Sequence, residues 1–172
     1  MANLIIFYSK DGENYINGKV RDLVKGNTEI CVEIIRRNVE ADIFRVETVK
    51  EYSKDYTKCT EEAKAELDSG ARPELKRYLD SLDGYDNIFI CGPCWWGTYP
   101  CAVFSLLERL DWKGKRVFPL VTHEGTGLGQ SVEDLKKICV GAEIADAYLV
   151  RGSEAAAAGW PLGAWARSQI TK

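Results

Sequence analysis

Histidine is nearly absent from this 172-residue chain: His123 stands alone beside six cysteines. A tetrahedral zinc site has little to draw on, because Cys91, Cys94, Cys101 and His123 lack the second pair of close ligands that structural sites use. Neither Gly-x-x-x-x-Gly-Lys-Ser/Thr nor Gly-x-Gly-x-x-Gly occurs, which argues against a nucleoside triphosphate or a dinucleotide held in a glycine-rich loop. No apolar run approaches the roughly 20 residues that span a bilayer, and the N-terminal MANLIIFYSKDG is too short for a signal peptide. Positive charge is not in excess either: 23 Lys and Arg against 26 Asp and Glu give a net charge of −3. That points away from nucleic acid and from anionic membranes as partners. Repeats and low-complexity linkers are also missing.

What is present is ordinary for a folded protein: 45% hydrophobic and 28% charged residues. The length suits one domain, 1–172, with a core large enough to do without disulfides. The cysteines are therefore expected reduced and the protein cytoplasmic, as a monomer or homodimer.

Taken in order, residues 3–8 (NLIIFY) form a continuous apolar run suited to a central parallel strand. Residues 11–25 follow as an insertion around Asn17-Gly18, the strongest short hairpin signal. A helix opens at Gly26-Asn27-Thr28, with Asn27 or Thr28 as its N-cap and Glu29 in the first turn. Residues 41–46 read as a second strand. A helix capped by Thr60 should end near Gly70, and Pro73 should start a short helix over 73–82. Residues 88–90 are the core of a buried strand running into NIFICGPCWWGTYP, whose Gly92, Pro93, Gly97 and Pro100 should end regular structure. Residues 101–110 are an amphipathic helix, 116–121 a strand with Pro119 awkwardly in its middle. A glycine-rich loop (THEGTGLG), a helix over 130–139 and a last strand over 143–150 complete the alternation. Residues 153–172 should be helical but are interrupted by Gly159, Pro161 and Gly163.

Strands alternating with helices mean βαβ units and a doubly wound open sheet. Right-handed crossovers put the strand C-termini on one edge, so the loops beginning at Ser9, Gly92 and Thr122 should meet there. Ser9 with a Gly26-Asn27-Thr28 helix start offers small hydroxyls and free N–H groups to a phosphate, and Lys10 a counter-charge. Trp95 and Trp96 need something flat to cover, and the third loop adds backbone amides with His123 and Glu124. The three describe a slot for a flat ring with a phosphorylated tail.

These loops resemble those of the flavodoxin superfamily, in the branch with Pro93-Cys94-Trp95-Trp96-Gly97-Thr98 and Thr122-His123-Glu124-Gly125-Thr126-Gly127-Leu128-Gly129. The resemblance covers residues 1–152 and implies a three-layer α/β fold with five parallel strands in the order 2-1-3-4-5. It also implies one noncovalent FMN. By the same carry-over, Ser9, Asn27 and Thr28, closed by Gly26, hold the phosphate. Trp95 and Trp96 line the isoalloxazine, while backbone from Pro93 through Cys94 and Gly97 to Thr98, and from Thr122 to Gly125, meets its polar edge. His123 is a candidate catalytic residue, as a donor to the ring or a proton source. Gly97 is the candidate for a movable peptide beside the ring. Two features depart from the family pattern: the hairpin interrupting the phosphate loop and the C-terminal segment.

The implied function is electron transfer through FMN to a redox partner protein. The alternative is an NAD(P)H-dependent reductase of quinones or nitro compounds. Two further readings are a flavin-free interaction module and a dithiol redox protein using Cys91-Gly92-Pro93-Cys94. The last needs its first sulfur exposed at a helix N-terminus, whereas Cys91 is expected at the end of a buried strand.

Overall fold

The computed structural model describes residues 2–171. Its central sheet is built of β1 (Ala2–Phe7), β4 (Asp42–Arg45), β5 (Tyr85–Pro93), β6 (Arg116–His123), β7 (Glu143–Ile144) and β8 (Tyr148–Arg151). The hydrogen-bonded order is β4-β1-β5-β6-β7, with β8 also on β6, and every pairing is parallel. Because β7 and β8 occupy the same side of β6, this is the expected 2-1-3-4-5 order with its fifth position split. The expected continuous strand over 143–150 is thus corrected to two pieces. The split explains Pro119: β6 pairs with β7 at Arg116 and Val117 and with β8 from Leu120 onward. The missing N–H falls at the seam between them.

Alternation along the strands builds two cores. Leu4, Ile6, Ile88, Ile90, Val117 and Val121 face one side, with α3 (Cys101–Leu107) and α4 (Ser131–Ile138). Ile5, Phe7, Phe89, Cys91, Phe118 and Leu120 face the other, against α1 (Asn27–Asn38) and α5 (Gly159–Ile170). Most of these strand side chains are fully buried, each contributing about 1.5–3 kcal/mol. Tyr99, also buried, crosses beneath the loops, and its hydroxyl donates to the carbonyls of Ile90 (3.0 Å) and Leu120 (3.1 Å).

The hairpin forms as expected: β2 (Gly12–Ile16) pairs antiparallel with β3 (Lys19–Leu23). Its turn residues Asn17 and Gly18 have φ of 50° and 77°, the left-handed pair of a primed turn. Three expectations are corrected. The helix α2 (Tyr56–Ser69) starts earlier than the sequence suggested, because Asp55 caps it by accepting the Lys58 N–H. Thr60 lies inside the helix and donates to Thr57 O. No helix forms over 73–82: Val49 N–H donates to Glu74 O and Lys76 N–H to Glu47 O, so the segment is held extended with Leu75 buried. The strand β5 continues through Gly92 and Pro93, whose partners are Val121 and Thr122. At the C-terminus a 3-10 stretch (Gly152–Ala157) precedes α5, and Pro161 sits in the first turn of α5, where its missing N–H has no intrahelical partner to lose. Gly163 gives room to Asn38, whose amide nitrogen a Cβ would approach to 2.6 Å.

Candidate functional site

The parallel strands bring three loops together beyond the ends of β1, β5 and β6. In the first, neither Asn27 nor Thr28 caps α1. Gly26 holds the cap position with extended backbone, and the cap oxygen comes from outside: Ser9 Oγ accepts the Glu29 N–H at 3.0 Å. This close approach requires glycine, since a Cβ on Gly26 would fall 2.2 Å from Ser9 Oγ and 2.6 Å from Lys10 O. Asn27 and Thr28 become the first two helical residues, and their backbone N–H groups have no protein acceptor among the described residues. Two free N–H groups at the start of a 12-residue helix are donors for an anion. The Thr28 hydroxyl is paired with that of Thr122 at 2.8 Å. Lys10 Nζ donates to Glu13 O (3.0 Å) and Asp11 O (3.3 Å), at the base of the hairpin.

The second loop is a tight turn closed by the Trp95 N–H donating to Thr98 O at 2.7 Å. Trp96 and Gly97 have φ of 54° and 84°. A tryptophan in the left-handed region costs on the order of 1–3 kcal/mol and marks functional loops. It is held there by its indole N–H, which donates to Thr60 O at 2.9 Å, and by the Gly97 carbonyl, which accepts the Gln130 N–H at 2.6 Å. Movement of the Gly97 peptide has to break that bond. Thr98 itself is buried, its hydroxyl donating to Asp134 at 2.6 Å.

In the third loop, His123 Nδ1 accepts the N–H groups of Gly125 (2.9 Å) and Gly127 (3.2 Å). This fixes the tautomer, leaving Nε2–H as the free donor. The Glu124 carboxylate joins three elements: it accepts the N–H of Ser153 (2.7 Å), that of Asn17 at the hairpin tip (3.4 Å) and Arg151 Nε (3.5 Å).

Two adjoining cavities lie between these loops. One, of about 290 Å³, is bounded by Ser9, Asn27, Thr28, Thr122, His123 and Glu124, with Pro93 on its wall and Gly152 at its end. A Cβ on Gly152 would fall 2.4 Å from Asn27 Nδ2. The other, of about 390 Å³, is bounded by Trp96, Gly97, Cys59, Thr60 and Ala63. Lys10, Asn14, Tyr56, Cys94, Trp95 and Thr126 line both. Twelve of the fifteen sequence-predicted residues therefore meet here, counting Trp96 and Gly97. Gly26, Thr98 and Gly125 do not line the space: they shape the loops behind it.

Sequence reasoning missed the outer wall. Asn14 and Tyr15 come from the hairpin and Tyr56 from α2, which the Glu13 carboxylate ties to the hairpin by accepting the Tyr56 N–H at 2.7 Å. Tyr15 and Tyr56 stack with centroids 6.0 Å apart. The hairpin signal was legible, but nothing local says that it folds back over the site.

The thiols are not poised for exchange. Cys91 is fully buried, and desolvation holds its pKa well above the ordinary range. It belongs to the core on the α1 side, while Cys94 packs on the other face of the sheet. Burial pushes Cys59, beside the larger cavity, up to about 11. All six cysteines are free.

The sequence profile of a family described as flavodoxin matches residues 23–165. The chain belongs to the flavodoxin family. Among solved structures it is similar to a flavoprotein from Bacteroides eggerthii (21% identity, 99% of each chain covered, TM-score 0.74). It is also similar to a flavoprotein from Lactobacillus acidophilus crystallised in complex with FMN (18% identity, 93% of this chain and 98% of that one, TM-score 0.63). A flavodoxin from Streptococcus pneumoniae matches at 16% identity over 99% of each chain, TM-score 0.56. No curated relative matches the sequence. Within this flavodoxin fold, the hairpin interrupts the loop after β1, on the same sheet edge as the cavities. Among the described residues no helix is long and apolar enough to cross a membrane.

Proposed function

We propose that this flavodoxin-family chain binds one FMN noncovalently and transfers electrons through it. The observation that carries the reading is an anion-ready helix start joined by continuous cavities to an aromatic loop. The smaller cavity suits the phosphate and ribityl chain. There the Asn27 and Thr28 N–H groups, the Asn27 amide and the Ser9 and Thr28 hydroxyls are the donors, without a guanidinium. The larger one suits the ring, with Trp95 and Trp96 as apolar walls and Tyr56 on the hairpin side. Gly26 and Gly152, where a Cβ would run into Ser9 and Asn27, let these donors close together around the smaller cavity.

FMN supplies the redox chemistry when bound, and the chain sets its surroundings. His123 borders the smaller cavity and not the larger, so its Nε2–H is a donor to the part of the flavin that lies between ring and phosphate. The N–H groups of Trp96 and Gly97, without a protein acceptor among the described residues, are further donors from the second loop. The indoles of Trp95 and Trp96 make an apolar surround that disfavours added negative charge, which lowers the flavin's potential below that of free FMN. Extraction of the chromophore from purified protein tests the reading. FMN in near-stoichiometric amount supports it, and FAD or no flavin after reconstitution contradicts it.

A second reading, an NAD(P)H-dependent reductase of small quinones or nitro compounds, is favoured by one observation. Trp96 is 53% exposed and borders the larger, mostly apolar cavity, where a planar reductant or substrate can reach the ring. Steady-state NADPH oxidation with a quinone separates this from a carrier, for which a partner protein is required.

A further inference from the structure

A row of aromatic rings leads out of the proposed flavin cavity. Trp95, which lines it, meets Tyr52 edge-on at 5.1 Å and Tyr8 at 5.2 Å, and the two tyrosines are 6.1 Å apart. Tyr52 lines neither flavin cavity. It borders two other clefts, one beside Arg45 and Lys76 and one beside Glu62 and Arg72. Its hydroxyl donates to Glu66 Oε2 at 2.6 Å, the length of a charge-assisted O–H···O bond. Tyr8, in the same cluster, has no protein acceptor for its hydroxyl among the described residues. Only one of the two phenols has a base in place.

That difference matters because an oxidised phenol is a strong acid. It gives up an electron easily only when its proton has somewhere to go, whereas an indole can be oxidised without losing its proton. A flavin excited by light is a strong one-electron oxidant. We propose that Trp95, Tyr52 and Glu66 form a proton-coupled electron relay that refills Trp95 after it gives an electron to a light-excited flavin. The proposal rests on the FMN reading above.

The steps balance. The Trp95 indole passes one electron to the flavin and becomes a radical cation. Tyr52 passes one electron to Trp95, restoring it, and its hydroxyl proton moves along the 2.6 Å bond to the Glu66 carboxylate. The net result is one electron on the flavin, a neutral radical on Tyr52 and a proton on Glu66, and recombination reverses all three. Burial raises the pKa of Glu66 and of Tyr52, so the proton rests on the phenol until oxidation drives it across. Glu62 raises and Lys50 lowers the Glu66 value.

The test is a laser flash on FMN-loaded protein, with binding first established by titration. Absence of FMN binding overturns the FMN reading and the relay together. Binding without a tyrosyl signal overturns the relay alone. The relay predicts a neutral tyrosyl radical appearing with reduced flavin, with recombination slowed in D2O. Tyr52→Phe, which keeps the ring packing, should bind FMN as the parent does but show only a tryptophan radical and recombine faster. Glu66→Gln should lose the tyrosyl signal and the D2O effect while keeping Tyr52. A tyrosyl signal that persists in Tyr52→Phe, or recombination equally fast in both proteins, would place the hole elsewhere.

Discussion

Replacing Tyr99 by Phe probes the scaffold that holds the loops in place. The hydroxyl lies at the centre of the sheet, fully buried, and is shared between the carbonyls of Ile90 and Leu120 on adjacent strands, at 3.0 and 3.1 Å. Its ring also fills the space over Gly92, where a Cβ would come within 2.7 Å of Tyr99 Cδ1. Phenylalanine preserves the ring, so no cavity term enters. The loss is that of a buried hydrogen bond whose acceptors stay dry, about 1–3 kcal/mol. In a chain of this size each kcal/mol moves Tm by roughly 2–4 °C. Urea unfolding should show a lower midpoint with an unchanged slope, since the surface exposed is the same. Because the bond pins β5 to β6 just below their loops, cofactor affinity should fall as well. A variant within about 0.5 kcal/mol of the parent, the range of neutral surface changes, would mean that the phenol is not bonded in the core as described.

Two other outcomes follow from single contacts. Thr28→Val removes a proposed phosphate donor, so FMN affinity should drop about tenfold, equivalent to ~1.4 kcal/mol, while riboflavin affinity measured by the same fluorescence titration should stay level. Glu66 has its pKa raised by burial, partly offset by the bond from Tyr52. The native state therefore holds the proton to higher pH than the unfolded chain does, and stability falls as pH rises from the ordinary carboxylate range through the folded value. Urea midpoints across that window should slope downward for the parent and flatten in Glu66→Gln, and parallel curves would refute the assignment.

Most of the fold was legible because the apolar runs are long and bounded: NLIIFY and NIFI could only be interior strands, and Asn17-Gly18 could only be a turn. The inner wall of the site was legible through the same punctuation. What escaped were residues whose roles depend on distant partners. Ser9, not Asn27 or Thr28, caps α1 because the loop after β1 folds against it. The segment around Leu75 carries helix-compatible residues but is drawn into an extended pairing with residues 47–49. Tyr56 reads as one more aromatic in a polar stretch until Glu13 fastens its backbone beneath the hairpin. In each case a long-range bond overrides the local preference.

The most direct measurement is a fluorescence titration of flavin-free protein with FMN and, separately, riboflavin. The account predicts saturable one-to-one quenching of both indole and flavin emission by FMN, with clearly weaker binding of riboflavin, which lacks the phosphate. Indole emission indifferent to FMN, or equal affinity for the two flavins, would contradict it.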